Sequence, residues 1–550
     1  MRWQCTFDDT QYRSRDEARD CLAKNHELIE MLDDNDVEEQ AIKKKQNHKK
    51  DLLDYAVSNI IKHVTSDSNS DEVYAIVQIN DHKETINLNS KKARQWLSHL
   101  NTIKFPGQIK GDEFYKNLLN SIIGETIFNN INKSKIFQRI AQVNNKIYYD
   151  LGDPKWTIVE ISRNGTQNLS YNEYMPVFRR SSTTSQQVKP VFSDENALDK
   201  LTVLLCVSDK DRLIFKIHIV AMFLQDCPIP VLALDGSAGS FKSTIAASIK
   251  RLVDPNGPKK EDNSSFMSSN IENLNIQLYN RYMCNFDNVS KITKEMSDLL
   301  CRAVNGSSNP KRELYTNSDE IILTYRSKII LNGIAPNLDE TDLQERTIWY
   351  ERIPAGKTKR LTEQEFEEKF QKLLPYVLGK IMKTLCRAIQ IYSDVHQEVE
   401  PQARMSDFEV WGEAISRSLG YEKKLFLIEH RDKINRDIVA LKDAHPLIDC
   451  IVDLMKDCSN YENTMSNLFT RLNDLASNLG INTASRFVRF PKQPNQLSKE
   501  LKVVTPVMQK LGYAIEIWQY TKNDGKYPKN NSVVTITKLE DTKQSIQTIL

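Results

Sequence analysis

Long apolar runs are the first feature that this sequence lacks. No stretch approaches the roughly 18 apolar residues of a membrane span, and the apolar stretch at 214–224 contains Lys216 and His218. The first residues, Met-Arg-Trp-Gln-Cys, do not form the apolar core of a signal peptide. We therefore expect a buried helix at 214–224, no membrane segment, and a location in the cytoplasm of a prokaryotic or virus-infected cell.

An excess of one charge and paired cysteines are lacking as well. The 75 Lys and Arg residues nearly balance the 73 Asp and Glu residues, which leaves a net charge of +2. A strongly basic surface is excluded, so any contact with nucleic acid must come from local patches. The nine cysteines form no Cys-x-x-Cys pair. Such scattered thiols favour a reducing compartment and roles as small core residues.

What is present is the material for three or four folded domains in 550 residues. Changes of pattern along the chain divide it into six regions. They are a zinc-finger-like unit at 1–26, a charged helix and linker at 27–71, an α+β region at 72–200, an α/β region at 201–360, a helical segment at 361–445 and a winged-helix domain at 446–550.

Local patterns predict the elements inside these regions. A helix is expected over about 27–63, and its lysine runs fit either a solvated helical face or a basic contact surface. Other predictions are polar linkers at 65–71 and 181–187, a strand at 73–79 and a β-meander at 147–180. The last hundred residues predict three helices and two strands, in the order of a winged-helix module, at 446–457, 464–478, 495–511, 513–520 and 532–538.

The strongest chemical signal lies between an apolar strand at 229–234 and a helix at 245–252. The residues there are Gly236, Ser237, Ala238, Gly239, Ser240, Phe241, Lys242, Ser243 and Thr244. Glycines allow a tight turn whose N–H groups point at one anion, and the helix adds its positive end. We predict a phosphate-binding loop, with Lys242 at the β- and γ-phosphates and Ser243 on Mg²⁺. Phe241 departs from the usual glycine, and the alternative is an ordinary Gly/Ser turn.

A carboxylate follows another strand of what we expect to be a parallel sheet over about 229–355. Asp287 comes directly after the strand 282–286, where it can hold the water shell of Mg²⁺. Asn288 stands where a second acid usually polarises the attacking water. Hydrolysis is then slow, or a nearby acid such as Glu272 or Glu313 takes that role. The alternative for Asp287 is a turn residue at a strand end.

Two further residues complete the predicted catalytic set. Asn332 follows the strand 328–331 and is predicted to sense the γ-phosphate; a simple Asn-Gly turn is the alternative. Arg346 precedes the strand 348–352 and is predicted to act on the nucleotide of a neighbouring subunit, because a planar guanidinium stabilises transition-state charge. A surface salt bridge is the alternative for Arg346.

These motifs together resemble the superfamily 3 helicase domains of phage- and plasmid-type primase–helicases, particularly their prophage ATP-binding relatives. The resemblance covers about 145–360 well, extends in layout through 361–540 and leaves out residues 1–70. The motifs that carry it are Gly-x-x-Gly-x-x-Lys-Ser-Thr, Phe-Asp-Asn, Leu-Cys-Arg-Ala-x-x-Gly at 300–306, Arg-Glu-Leu-Tyr-Thr from Arg312, Ile-Leu-Asn-Gly around Asn332 and Asp-Leu-x-x-Arg at Arg346.

The resemblance implies an α/β P-loop ATPase core of AAA+ type, preceded by helical and small β parts and followed by a helical segment and a winged helix. It also implies ATP and Mg²⁺ as cofactors and a ring, which we expect to be a hexamer, translocating on DNA with 3′–5′ polarity. A hairpin would carry Lys311 and Arg312 to single-stranded DNA in the ring channel; an exposed basic turn is the alternative. No primase-type acidic metal site is present in 1–200.

The two ends of the chain carry weaker signals. Four residues have spacings like those of a two-Cys two-His zinc finger, and they form either a weakened zinc site or a metal-free remnant: Cys5, Asp8, Cys21 and His26. In the winged module, Lys499 and Lys502 on the third helix and Lys526 in the wing are predicted to dock on duplex DNA. Solvated charge or a protein contact is the alternative for these lysines.

The sequence thus predicts an ATP-dependent DNA helicase or translocase, an ATP hydrolase that acts in replication of a virus, plasmid or other mobile element. Its expected partners are DNA, further copies of itself and replication proteins such as a primase or polymerase. One alternative is an ATP-gated replication initiator that binds DNA with little hydrolysis or unwinding. Another is a helical adaptor whose phosphate-binding loop is structural.

Overall fold

The fold is described from a computed structural model of the chain. It describes 47–69, 71–129, 132–235, 241–312, 320–333, 341–351, 361–483, 488, 490–521, 526–528 and 530–539, and the backbone alone at 2–5, 11–12 and 28–31. Side chains are not described at 235, 307–312, 320–323, 341, 351, 438–444 and 506. The chain divides into two compact units, 1–136 with 170–179, and 137–169 with 180–550.

Among its described residues, the first unit has a three-stranded sheet, a four-stranded sheet, the short strand β13 and three helices. Its elements are β1 (Arg2–Cys5), β2 (Gln11–Tyr12), β3 (Leu28–Met31), α1 (47–58), β4 (Ile60–Ser66), β5 (Val73–Ile79), β6 (His82–Asn87), α2 (Lys91–Lys104), α3 (Asp112–Asn129), β7 (Lys133–Ser134) and β13 (Val177–Phe178). The larger sheet has the order β6-β5-β4-β7. Val73, Ala75 and Val77 alternate along β5 and share one core with α2 and α3, as the period of two in a strand requires. The chain passes into the second unit within β8 (Ile136–Phe137).

The second unit begins with a β-meander. Its strands are β9 (Ile140–Val143), β10 (Lys146–Asp150), β11 (Thr157–Ser162) and β12 (Gly165–Ser170), in the order β12-β11-β10-β9. Asn144 and Asn145 join β9 to β10 with φ of 52° and 58°, the left-handed pair that a two-residue hairpin needs. The meander predicted at 147–180 is thus present, and it starts seven residues earlier at Ile140.

A parallel sheet forms the centre of the second unit, as the alternation of strands and helices predicts. Its strands are β14 (Val231–Asp235), β15 (Met283–Phe286), β18 (Lys328–Asn332) and β19 (Thr347–Glu351), in the order β15-β18-β14-β19. Helices on this part of the chain are α4 (Ala197–Leu204), α5 (Arg212–Ala221), α6 (Lys242–Val253), α7 (Ile271–Tyr279), α8 (Lys294–Asn305) and α9 (Thr341–Gln344). Val231, Leu232 and Ala233 are fully buried, which fits a strand covered on both faces.

Two additions flank this sheet. An antiparallel hairpin, β16 (Ser307–Arg312) with β17 (Glu320–Tyr325), follows α8. Three long helices follow β19, in agreement with the helical segment predicted at 361–445: α10 (Glu363–Glu398), α11 (Ser406–Ser418) and α12 (Leu425–Ala444). Helix α10 begins with a capping box, in which Thr362 and Glu365 satisfy each other's backbone N–H groups.

The C-terminal part has a hydrophobic core of its own. Its elements are α13 (Pro446–Leu454), β20 (Asn460–Thr464), α14 (Met465–Asn478), α15 (Pro494–Lys510), β21 (Tyr513–Gln519) and β22 (Ser532–Lys538). The three strands form an antiparallel sheet in the order β20-β22-β21. All five predicted elements are present, and β20 is an additional strand that the sequence reading did not anticipate.

The prediction of a helix over 27–63 is wrong near both ends of that range. Leu28–Met31 is a strand, and Ile60–Ser66 is another, so of the described residues in this range only 47–58 are helical. Ile60, Val64 and Thr65 are β-branched residues that pair with β5, and pairing with a buried strand outweighs the helical tendency of the lysine-rich segment before them. The linker predicted at 65–71 accordingly loses Thr65 and Ser66 to β4.

The linker predicted at 181–187 has no helix or strand, yet its end is firmly packed. The Gln187 amide is buried and donates to the Tyr149 hydroxyl at 3.1 Å and to the Arg251 carbonyl at 2.9 Å. The region predicted at 72–200 is divided between the two units. Among the helices that the structure describes, none has the length and apolar composition to cross a membrane.

Candidate functional site

The carboxyl ends of β14, β18 and β15 meet at one edge of the parallel sheet. Leu234 of β14 pairs with Asn332 of β18, and Phe286 of β15 pairs with Leu331. In open α/β sheets ligands bind at this edge. Of the predicted phosphate-binding loop, Phe241, Lys242, Ser243 and Thr244 are described. Gly236, Ser237, Ala238, Gly239 and Ser240 lie outside the described residues.

Three predicted site residues form a hydrogen-bonded triangle at this edge. The Ser243 hydroxyl donates to Asp287 Oδ1 at 3.0 Å, and Asn332 Nδ2 donates to Asp287 Oδ1 at 2.6 Å and to Ser243 Oγ at 3.1 Å. Asn332 is only 2% exposed, and its Oδ1 atom has no hydrogen-bond partner among the described residues. A serine hydroxyl, a carboxylate and an amide oxygen are thus gathered where three strands end.

The fourth residue, Lys242, is the first residue of α6 and lies beside the triangle. Its Nζ donates to the Gly333 carbonyl at 2.7 Å, and the residue is only 8% exposed. Thr244, one residue after Ser243, is also buried. The cation therefore lies at the end of β18, next to Asn332, where nucleotide phosphates are predicted to bind.

Gly333 allows the close approach of two loops at this edge. A Cβ atom on Gly333 would lie 2.1 Å from the Val289 carbonyl oxygen, far inside van der Waals contact. The Val289 N–H also donates to the Asn332 carbonyl at 2.9 Å. Only glycine lets the loop after β15 and the loop after β18 pack together here.

We expect Gly333→Ala to lower the free energy of unfolding by about 1–3 kcal/mol, as overpacking of a closed site does, and to weaken whatever Lys242 and Asn332 bind. Urea denaturation measures the first effect. Gly124 in α3 is the matched control, because a Cβ there meets nothing within 4 Å. Gly124→Ala should stabilise by about 0.5–1 kcal/mol. Equal effects of the two substitutions would contradict the close packing at Gly333.

Phe241 occupies the position where such loops usually have glycine. Its φ of 65° and ψ of 10° are left-handed, which disfavours an aromatic residue. Its ring meets Phe366 of α10 edge to face, with centroids 5.4 Å apart. At the other end of α6, the Arg251 guanidinium makes two hydrogen bonds of 2.8 and 2.9 Å to the Glu367 carboxylate. Helix α6 is thus fixed to α10 at both ends.

Asn288 is exposed, has a left-handed φ of 56° and donates its backbone N–H to Asp287 Oδ1 at 2.9 Å. Of the two acids considered as substitutes, Glu272 lies exposed in the first turn of α7. Glu313 lies outside the described residues. In the described part of the chain, Asp287 is the one carboxylate hydrogen-bonded to Ser243 and Asn332.

Arg346 lies just before β19, beside the start of β14, because its carbonyl accepts from the Val231 N–H at 2.7 Å. It is therefore at the amino ends of the parallel strands, whereas the triangle is at their carboxyl ends. Its guanidinium pairs with Asp342 Oδ1 at 2.6 Å, and its side chain is only 11% exposed. Arg404 also pairs with Asp342. Burial alone would raise the pKa of the Asp342 carboxyl, but the hydrogen bond from Arg346 and the arginine charges hold it below its usual value. In a single chain, Arg346 therefore makes an ion pair with Asp342, and its predicted action on a neighbouring subunit stays a prediction.

The predicted DNA-contacting residues are spread over two elements and a turn. Lys311 and Arg312 end β16, where they pair with Ile321 and Glu320 of β17, so they lie at the outer end of the hairpin. Lys499 and Lys502 are exposed on α15. Lys526 is exposed between β21 and β22 and binds Glu462 of β20 at 2.6 Å.

The side chains of the four predicted zinc ligands are not among the described ones, so the predicted zinc site stays a prediction. Asp8, Cys21 and His26 lie outside the described residues, and Cys5 is described only as backbone in β1. Elsewhere in the described part, no group of three or more His, Cys, Asp or Glu side chains is arranged to hold a metal ion.

Two contributors to the site were missed at the sequence level. Gly333 supplies the carbonyl that Lys242 binds, and Phe366 supports Phe241. The Asn-Gly pair at 332–333 directly follows an apolar strand, and that pattern could have indicated the role of Gly333. Phe366 lies 125 positions from Phe241, and no local pattern links them.

Comparison with known proteins gives two family matches. Residues 198–421 match the model described as the actinomycete integrative conjugative element replication protein. Residues 447–545 match the model of the C-terminal domain of the same RepA proteins. No curated protein matches the chain.

Several solved structures are similar at low identity. "SCCmec type IV Cch - active helicase" is 12% identical with a TM-score of 0.43, over 88% of this chain and 93% of that one. The NrS-1 C-terminal region is 12% identical with a TM-score of 0.37, over 88% and 98%. The JCV helicase is 14% identical with a TM-score of 0.21, over 45% and 66%. Over 198–421 and 447–545, the chain is therefore similar to the RepA replication proteins of actinomycete integrative conjugative elements.

Proposed function

We propose that this protein is an ATP-dependent DNA helicase or translocase that acts in replication of a conjugative element. The observation that carries the proposal is the triangle of Ser243, Asp287 and Asn332 with the Lys242 cation beside it. A cation, a hydroxyl and a carboxylate at the end of parallel strands are the groups that bind a nucleotide triphosphate with its metal. The family matches supply the replication context.

The residues at the triangle fit Mg²⁺. Mg²⁺ prefers hard oxygen ligands and keeps several waters when it binds with phosphates. Ser243 and Asp287 would hold it, the latter through water. The unpartnered and buried Asn332 Oδ1 gives a further polar group facing the same site. Bound there, the metal would neutralise charge on the transferred phosphoryl group. Lys242 would bind the phosphate oxygens, and Asn288 would orient a water.

The topology supports a P-loop core of AAA+ type. Strand β14 lies inside the sheet, and β18 separates it from β15. Ser265 adds a parallel bridge outside β15 by accepting from the Asp287 N–H at 3.0 Å. The loop that holds Lys242 and the loop that holds Asp287 therefore flank the Asn332 strand end. We assign the superfamily 3 type on the motifs and on this strand order together.

The C-terminal part supplies the proposed contact with duplex DNA. Three helices and a three-stranded antiparallel sheet in the order helix-strand-helix-helix-strand-strand are the plan of a winged helix. Lys499 and Lys502 on its third helix would approach the duplex, with Lys526 near the wing. Lys311 and Arg312 at the hairpin end would contact single-stranded DNA.

A ring assembly completes the proposal. A hexamer would place a residue from one subunit beside the nucleotide of the next. Arg346 can serve this role only after exchanging its 2.6 Å ion pair with Asp342 for a phosphate. Mass photometry with and without ATP and Mg²⁺ measures the assembly.

Strand displacement on a forked DNA duplex tests the activity. We expect unwinding that requires ATP and Mg²⁺ and that is lost in Asp287→Ala. Lys294→Ala is the matched control, because Lys294 is exposed at the start of α8 and makes no contact with the triangle in the described structure. Failure of the wild-type protein to unwind or translocate, with ATP bound, would contradict the helicase proposal.

A second function is favoured by one residue. Asn288 cannot accept the proton of an attacking water, unlike the acid it replaces. An ATP-gated initiator that binds DNA and hydrolyses slowly would have such a site. ATP-dependent binding of duplex DNA without strand displacement, together with recovery of faster hydrolysis in Asn288→Glu, would favour the initiator.

A further inference from the structure

A cavity lies among the helices of the second unit, apart from the triangle of Ser243, Asp287 and Asn332. Its volume is about 290 Å³. Its walls come from the start of α4, from α5, from α10 and from the turn after α11, and the polar lining residues are Glu195, Asn196, Asp199, Lys216, Lys380, Arg387 and Tyr421. Lys380 lies 14 positions after Phe366 on α10, which is about 21 Å along a helix axis. The cavity is therefore a separate site from the triangle.

The cavity has an excess of positive charge. Lys380, Lys383 and Arg387 recur on one face of α10 at intervals of three and four residues, and Lys216 joins them from α5. Three of these four cations line the cavity, Lys216, Lys380 and Arg387, together with two carboxylates, Glu195 and Asp199. In a single chain, two of the cations on α10 share one carboxylate, because Glu195 binds both Lys380 and Lys383.

The deepest cation is held in place before any ligand arrives. The Lys216 side chain is 7% exposed, and its Nζ binds Asp199 Oδ1 at 2.7 Å and the Tyr421 hydroxyl. Burial alone would lower the pKa of Lys216, but the hydrogen bonds that its ammonium donates to Asp199 and Tyr421 keep the pKa above its ordinary value. Lys216 therefore stays charged at the base of the cavity at neutral pH.

The two carboxylates are replaceable. Glu195 and Asp199 are 54% and 58% exposed, and exposed ion pairs are worth little. Arg387 is exposed and has no ion-pair partner among the described residues, so its guanidinium is available for a bidentate contact. A single anion with oxygens on several sides would pair with Lys216, Lys380 and Arg387 at once.

We propose that this cavity binds a small phosphate-bearing polyanion of the pyrophosphate class. Its volume of about 290 Å³ is far above the roughly 10–15 Å³ that one water needs on the same measure, which leaves room for an anion of that size. The polar lining offers no apolar surface for a hydrophobic ligand beyond Leu198 and Leu419. Arginine and lysine together suit phosphate, because the arginine fork sets orientation while lysine acts as a point charge.

Calorimetric titration with sodium pyrophosphate tests the proposal. The titration is performed without Mg²⁺ in the Lys242→Ala protein, so that the nucleotide site does not contribute. We expect one saturable site whose Kd rises at least tenfold in Arg387→Gln and in Lys380→Gln. Lys372→Gln, an exposed lysine on the same helix outside the cavity, is the matched control and should leave the Kd unchanged.

Three results would overturn the assignment. They are absence of saturable binding, a Kd that is unchanged in Arg387→Gln, and equal binding of citrate, which would show a general anion site rather than a phosphate site. Arg387 is exposed, so its substitution should not affect folding, and a thermal melt of each variant verifies that. The outcome is independent of whether the protein hydrolyses ATP.

Discussion

Lys242→Ala is expected to reduce ATP hydrolysis by at least a hundredfold. Loss of one charged group that stabilises a developing phosphoryl transition state costs a factor of about 10²–10³. Lys242 is the cation nearest the triangle of Ser243, Asp287 and Asn332, and it is nearly buried, so a water or a surface lysine cannot easily replace it. Phosphate release with ATP, Mg²⁺ and single-stranded DNA measures the effect.

The same substitution leaves the Gly333 carbonyl without its donor, which should cost about 1 kcal/mol of stability. A melting curve therefore accompanies the assay, and Lys294→Ala, at the exposed start of α8, is the control for removing a lysine elsewhere in the unit. Turnover like that of the wild type in folded Lys242→Ala protein would show that the lysine has no role at the phosphates.

Asp254→Ala should have the largest effect on stability, about 3–5 kcal/mol. Asp254 is buried between two buried cations. Lys250 Nζ lies 2.7 Å from Asp254 Oδ2, and Arg139 Nε lies 3.0 Å from Oδ1. Removing one partner of a buried ion pair leaves uncompensated charge in the interior, and here two cations would remain. Chemical denaturation of the second unit measures the loss. Asp209→Ala, which removes an exposed partner of Arg212, should change stability by less than about 1 kcal/mol.

The pH dependence of stability gives an independent check on Asp254. Burial alone would raise the pKa of its carboxyl, but Lys250 and Arg139 hold the pKa below 3.8. The ion pair therefore contributes fully above the unfolded-state pKa near 3.8, and its contribution is lost as the pH falls through the lower folded-state pKa. The wild-type protein should lose stability over that acidic range more steeply than Asp254→Ala. Identical slopes would contradict a paired, charged Asp254.

Much of the central sheet could be predicted because its strands carry simple signals. Val231–Asp235, Met283–Phe286 and Lys328–Asn332 are short and mostly apolar, and a polar residue ends or directly follows each of them. Mostly apolar composition is typical of strands buried on both faces. Since parallel strands end at one edge, the polar residues that follow them could be expected to meet. The triangle formed by Ser243, Asp287 and Asn332 agrees with that expectation.

What could not be predicted depends on contacts between distant segments. Strand β20 has the sequence Asn-Tyr-Glu-Asn-Thr, with no apolar alternation, and it is a strand because it pairs with β22 at the far end of the domain. Strand β4 directly follows the helix at 47–58 and is fixed by pairing with β5. The ion pair of Arg346 with Asp342 could not be predicted either. The sequence shows that residue 346 is an arginine, but it does not show which carboxylate pairs with it.

The central claim is that Lys242, Ser243, Asp287 and Asn332 hold a nucleotide and its metal at the end of β14. A structure of the protein with a non-hydrolysable ATP analogue and Mg²⁺ tests it most directly. The claim predicts the terminal phosphates beside Lys242 Nζ, with the lysine moved from the Gly333 carbonyl and the metal shell next to Ser243 and Asp287. Nucleotide density elsewhere in the protein, with the 2.7 Å contact between Lys242 and Gly333 intact, would contradict it.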